Sequence, residues 1–205
     1  VVGVCLQYIW IAFLTYGGIL YYLKREKALS GGNRFLYFFL IMGILTCYLD
    51  FLTYPIYTWG VLAAWWLILE KRERSMKDSL QFVLFSAMAW GIGYVGMWVG
   101  KFAAASVILQ RNVFAEAFEK ISVHTGMENA YTWTDRYFSI YQNWKHYSYV
   151  LYAVLLIGWL IFAIVQILRH GWKVTGRAYA LGGIGASAFA WNFFAASHMN
   201  VHHYF

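Results

Sequence analysis

The sequence predicts an all-α, polytopic bundle of transmembrane helices, and three observations carry that reading. The 205 residues are 61% hydrophobic and only 12% charged, against about a quarter charged in an ordinary soluble domain. The charges are segregated, so that long apolar runs alternate with short basic clusters, which is the hydropathy pattern of spanning helices. The runs also reach the roughly 20 residues that a bilayer crossing needs.

The first run, about Val1 to Leu23, reads as a spanning helix that stops at Lys24-Arg25-Glu26-Lys27, before the turn-forming Ser30-Gly31-Gly32-Asn33-Arg34. No initiator Met or basic leader precedes it and Tyr204-Phe205 follow a polar cluster, so both ends read as cut from a longer chain. From Phe35 to Leu69 the apolar character is too long for one crossing and is interrupted at Asp50-Phe51-Leu52-Thr53-Tyr54-Pro55. Pro55 removes a backbone donor and disfavours helix just before it. Two short helices meeting at a tight break are expected; one long kinked helix is the alternative.

After the charged stretch Glu70 to Ser79, a span from about Leu80 to Leu109 offers Gly96 and Gly100 as a small-xxx-small face. Residues 110–145 are a polar outer loop in which Val113, Phe114, Ala117, Phe118 and Ile121 recur at helical spacing, as in an amphipathic helix on a membrane surface. Spans at about His146 to Leu168 and Ala178 to Ala196 bring the total to about six crossings. The last carries Gly182, Ala186 and Ala190 on a close-packing face, suited to helix association within one chain or in an oligomer. With no repeat and no linker, 1–205 reads as one transmembrane domain.

A full hairpin at the break puts the loops at Lys24 to Arg34, Glu70 to Ser79 and Arg169 to Arg177 on one side. They hold most of the lysines and arginines, and such an excess marks the cytoplasmic face. Asp50, Lys101, the 110–145 loop and the Ser197 to Phe205 segment then lie at the outer face. The net charge of +7 sits in these short loops, where it serves topology and lipid-phosphate contact instead of nucleic acid.

Ionised groups inside apolar segments pair or line a cavity, which makes Asp50 a candidate catalytic carboxylate, although a helix-terminating turn residue fits it as well. Lys101 could pair with Asp50, hold a lipid phosphate or snorkel to the headgroups. In Ser197-His198-Met199-Asn200-Val201-His202-His203, the imidazoles of His198 and His202 share one helical face. That spacing suits a metal, a phosphate, or a proton relay. It also matches the H-x-x-x-H-H box of membrane desaturases. Those enzymes use several boxes on the cytosolic side, whereas one box on the outer side stands here, so no metal is assigned and the residues name no cofactor. Trp133 and Tyr137, among the aromatic and polar residues of the outer loop, could stack on a sugar or form part of an interfacial belt. No phosphate-binding Gly-rich loop, nucleophile elbow, C-x-x-C or H-E-x-x-H pattern is present.

Three segments, Tyr48 to Pro55, Trp90 to Lys101 and Ser197 to Phe205, together resemble a family of uncharacterised bacterial polytopic membrane proteins. In general plan that family is similar to GT-C-type glycosyltransferases, which use polyprenyl-phosphate sugars. The resemblance implies a multi-pass protein of the bacterial inner membrane. It assigns Asp50 no role, because the GT-C carboxylate lies in a first outer loop without a counterpart among these segments.

The resulting expectation is a transferase of cell-envelope assembly acting on a lipid-linked sugar at the outer face. Asp50 and His198 serve in catalysis, Lys101, His202 and His203 bind phosphate or headgroup, and Trp133 and Tyr137 stack on substrate. A transporter or flippase, and a metal-dependent membrane oxidoreductase using the histidine box, are the alternatives.

Overall fold

The computed structural model describes residues 6–29, 31–49, 55–70, 74–125, 127, 131–146, 157, 161, 168 and 176–196. These form the helices α1 (Leu6–Leu29), α2 (Arg34–Leu49), α3 (Ile56–Leu69), α4 (Met76–Leu109), α5 (Val113–Thr125), α6 (Trp133–His146) and α7 (Gly176–Phe194), with no strand among the described residues. The chain divides into two compact units, Val1–Lys120 with Gly176–Ala188, and Ile121–Thr175 with Phe189–Phe205.

Helix ends follow local chemistry more closely than hydropathy. α1 continues through the basic cluster to Leu29, since Lys, Arg and Glu are good helix formers, with only Arg25 off helical angles (φ −121°, ψ 17°). It stops before Gly32, whose φ of +62° is left-handed. α4 begins at Met76, four residues ahead of the expected start, because the Ser75 hydroxyl accepts from the Asp78 N–H at 3.1 Å and caps its first turn. Pro55 stands at the start of α3, where the missing N–H costs nothing.

In the first unit the break between α2 and α3 is a hairpin. Near it the hydroxyls of Thr46 and Thr58 lie 2.7 Å apart, while at the far ends the Trp66 ring meets Phe38 and Phe39 at 5.9 and 6.0 Å. A single kinked helix would hold residues 39 and 66 about 40 Å apart at 1.5 Å per residue. The same comparison of partners orders the neighbours. Tyr21 stacks on Phe38 and Tyr22 meets Trp66 at a tilt, so α1 runs against α2 and along α3. Phe39 meets Phe82 and Lys101 reaches Cys47, so α4 runs along α2. α7 starts beside Met76, and its Ile184 reaches Gly60, so it too runs along α4.

The turns between α1 and α2 and between α3 and α4, and the start of α7, therefore fall at one end of this unit, carrying Lys24, Arg25, Lys27, Arg34, Arg74, Lys77 and Arg177 with them. Between the ends lies an aromatic core in which Trp66 touches Tyr22, Phe38, Phe39 and Phe82 at 4.3–6.0 Å, each pair adding about 0.5–1.5 kcal/mol beyond area burial.

The tightest crossing joins α2 to α4 through Gly43 and Gly93. A Cβ on either would come within 2.0 or 2.1 Å of the facing carbonyl oxygen of Trp90 or Leu40. Within the described chain, two expected packing faces are not the ones buried. Gly96 and Gly100 meet no described residue within 4 Å, whereas Gly93 abuts the α2 backbone and Ala89 is buried. On α7, Gly182 and Ala186 are exposed while Ala180 and Ile184 are buried. Small residues recur on more than one face of each helix, so composition leaves the choice of face to the neighbouring helix.

α4 is, among the described residues, the one helix both long and apolar enough to cross a membrane: its most apolar 18-residue stretch has a mean hydropathy of 1.6 and is only 22% buried. α2 and α3 are apolar but span about 24 and 21 Å, short of the roughly 30 Å hydrocarbon core.

Candidate functional site

Lys101 lies at the end of the first unit away from the basic loops. Its Nζ donates to the Cys47 carbonyl at 3.2 Å and stands 5.8 Å above the Tyr48 ring. The last carbonyls of α2 have no partner within the helix, and an ammonium there satisfies one while complementing the negative helix end. Asp50, the other expected partner, lies outside the described residues.

In the second unit α6 is built to hold the end of α7. Thr132 and Asp135 form a reciprocal cap at the start of α6: the carboxylate accepts from the Thr132 N–H at 2.8 Å and from its hydroxyl at 2.6 Å, and that hydroxyl accepts from the Asp135 N–H at 3.3 Å. These bonds hold the Asp135 carboxyl below its ordinary range. One turn on, Arg136 donates to the Phe193 and Phe194 carbonyls at 3.1 and 3.2 Å and to the Thr125 carbonyl at 2.8 Å. Ser139, fully buried, donates to the Ala196 carbonyl at 3.1 Å. The orphan carbonyls of the α7 terminus are thus met by side chains of α6.

Trp133 and Tyr137 pack their rings on Phe193 at 5.2 and 5.4 Å while remaining 72% and 63% exposed, which leaves most of each ring available for contact. His198, His202 and His203 follow the clamped terminus in sequence and lie outside the described residues. The side chains of Arg136 and Ser139, which organise this junction, were missed in the sequence. The T-x-x-D spacing of Thr132 and Asp135 is the signal that marks the start of their helix.

A second feature the sequence reading missed is a polar cavity of about 630 Å³ at the basic end, lined by Glu26, Lys27, Trp66, Glu70, Arg74 and Asp78 among others. Glu70 is buried and receives both the Nε and Nη2 of Arg74, the latter at 3.0 Å. Arg177 donates to the Glu70 carbonyl at 3.0 Å, tying α7 to the end of α3. The buried Trp66 indole N–H and Tyr22 hydroxyl have no hydrogen-bond partner among the described residues, and Trp66 belongs to the wall of this cavity. Glu70 and Arg74, four apart at the end of an apolar run, are the sequence signal.

No group of three or more His, Cys, Asp or Glu able to hold a metal occurs among the described residues. Fold and site define an all-helical protein with a membrane-capable helix and polar clusters at its helix ends. Comparison with protein-family models, curated proteins and solved structures finds no match.

Proposed function

We propose that this chain is a multi-pass bundle of about six crossings in the bacterial inner membrane, acting as a transferase on a lipid-linked, polyprenyl-phosphate sugar at the outer face. The observation that carries the reading is the gathering of the basic loops at one end of the α1–α4 and α7 unit, which by the lysine and arginine rule is the cytoplasmic end. Large apolar side chains such as Leu20, Ile92 and Ile108, 63–77% exposed, form a surface suited to lipid.

In this reading Lys101, His202 and His203 hold the phosphate, Asp50 and His198 serve as base or orienting partner, and Trp133 and Tyr137 stack on the sugar. The placement of Lys101 away from the basic end supports it. So does the exposure of the Trp133 and Tyr137 rings beside Phe193, five residues before His198 in sequence.

Single cysteines introduced as Ser75→Cys, Asn129→Cys and Ser197→Cys, with Cys5 and Cys47 replaced by alanine, test the orientation in intact cells with a membrane-impermeant maleimide. Labelling at 129 and 197 but not at 75 is expected, and the reverse pattern withdraws the outer-face site. Transfer from a polyprenyl-phosphate sugar by the purified protein, lost in Asp50→Asn and His198→Ala, tests the chemistry. Absence of transfer by the unsubstituted protein removes the enzyme reading.

A further inference from the structure

Between α1 and α2 runs an open groove of about 550 Å³ whose walls include Phe13, Gly17, Tyr21, Tyr37, Ile41 and Leu45. Among the described residues, Arg34, at the basic end, is the one charged residue lining it. We infer that this groove holds one acyl chain of a glycerophospholipid of the basic-end leaflet, with the lipid phosphate on Arg34. The inference rests on the membrane reading above and adds a lipid site at the face opposite the proposed substrate.

Three observations select this occupant. From Arg34 to Leu45 the groove follows α2 for about 17 Å at 1.5 Å per residue, close to the ~15 Å that one leaflet contributes to the hydrocarbon core. Apart from Arg34 and the tyrosine hydroxyls, the named lining is aliphatic and aromatic, a surface that an acyl chain covers without bringing any polar group of its own. Arg34 spends one donor on the Ala28 carbonyl at 3.2 Å, and a guanidinium has five, arranged in a fork that fits a phosphate. Gly17 keeps the floor low: a Cβ there meets no described residue within 4 Å, so a large side chain at this position enters the groove without striking a described backbone.

The test is photolabelling of the full chain in lipid nanodiscs containing phosphatidylglycerol with a diazirine in one acyl chain, followed by peptide mapping. Labelling of α1 and α2 groove residues in excess over the exposed Leu84 and Ile92 face of α4 is expected. Gly17→Phe abolishes that excess. Arg34→Gln, or a diacylglycerol probe lacking the phosphate, lowers it about tenfold, equivalent to ~1.4 kcal/mol. Equal labelling of groove and α4 face means bulk lipid only and overturns the inference, as does a groove protected relative to α4, which would mean that polypeptide covers it. Labelling of neither face overturns the membrane reading itself. Equal capture of diacylglycerol overturns the phosphate contact on Arg34.

Discussion

The α2–α4 crossing and the α6–α7 junction solve the same problem, holding two helices together, by opposite means. At the crossing, side chains are absent: Gly43 and Gly93 let backbone meet backbone, leaving no room for a methyl group. The few polar groups nearby satisfy one another, the Trp90 indole donating to Thr58 at 3.0 Å and the Trp59 indole to Ser86 at 3.1 Å. At the junction, side chains do the joining: Arg136 and Ser139 reach the carbonyls that end α7, and the rings around them stay exposed. The first contact is steric and intolerant of added atoms. The second is polar and sensitive to removed ones.

The largest effect expected from this contrast is at the crossing. Gly43→Leu or Gly93→Leu should destabilise the purified protein by about 3 kcal/mol or more, because the obstruction is backbone that cannot rotate away. Gly100→Leu, where no described residue lies within 4 Å, should leave the melting temperature unchanged. Equal sensitivity of Gly93 and Gly100 would break the comparison.

Next in size is Thr58→Val, which strands the Trp90 donor while the Thr46 hydroxyl keeps the Met42 carbonyl, and should cost about 1–3 kcal/mol by chemical denaturation. At the junction, Arg136→Met should cost about 1–2 kcal/mol while retaining the packed stem. Its signature is faster amide exchange over residues 191–196 with the α2–α4 helices unaffected, and Arg136→Lys should restore part of the protection. Uniform acceleration throughout the chain would show that the two regions are not separable.

The smallest effect is a pH dependence. The bonds from Thr132 depress the Asp135 pKa, so the stability they confer is present above the ordinary Asp value near 3.9 and is lost as pH falls through the lower folded value. Carbon-13 titration of Asp135 should give a midpoint below that ordinary value, returning toward it in Thr132→Val. An unchanged midpoint in the variant would assign the depression to some other cause.

Much of the helical plan was legible because it depends on local composition. The break before Pro55 and the helical spacing of Val113 and Ala117, both buried on α5, each correspond to an observed feature. The Trp133 and Tyr137 pair was legible only as exposed aromatics, since their support, Phe193, is more than fifty residues away. Lys101 was visible as an isolated cation, but not its bond to Cys47, which spans 54 positions.

What the sequence by itself determined is the helices α1 to α5 and α7, the apolar character of α2 to α4 and the clustering of basic residues in the turns, because backbone propensity and hydropathy act over a few residues at a time; α6 was expected as loop, and the span expected at His146 to Leu168 lies outside the described residues. Which face each helix buries was decided only in the tertiary structure. Ala89 with Gly93 was chosen over Gly96 with Gly100, and Ala180 with Ile184 over Gly182 with Ala186. Small residues permit close approach wherever they occur, and only the partner helix, brought alongside by the α2–α3 hairpin, selects the face on which the approach is made.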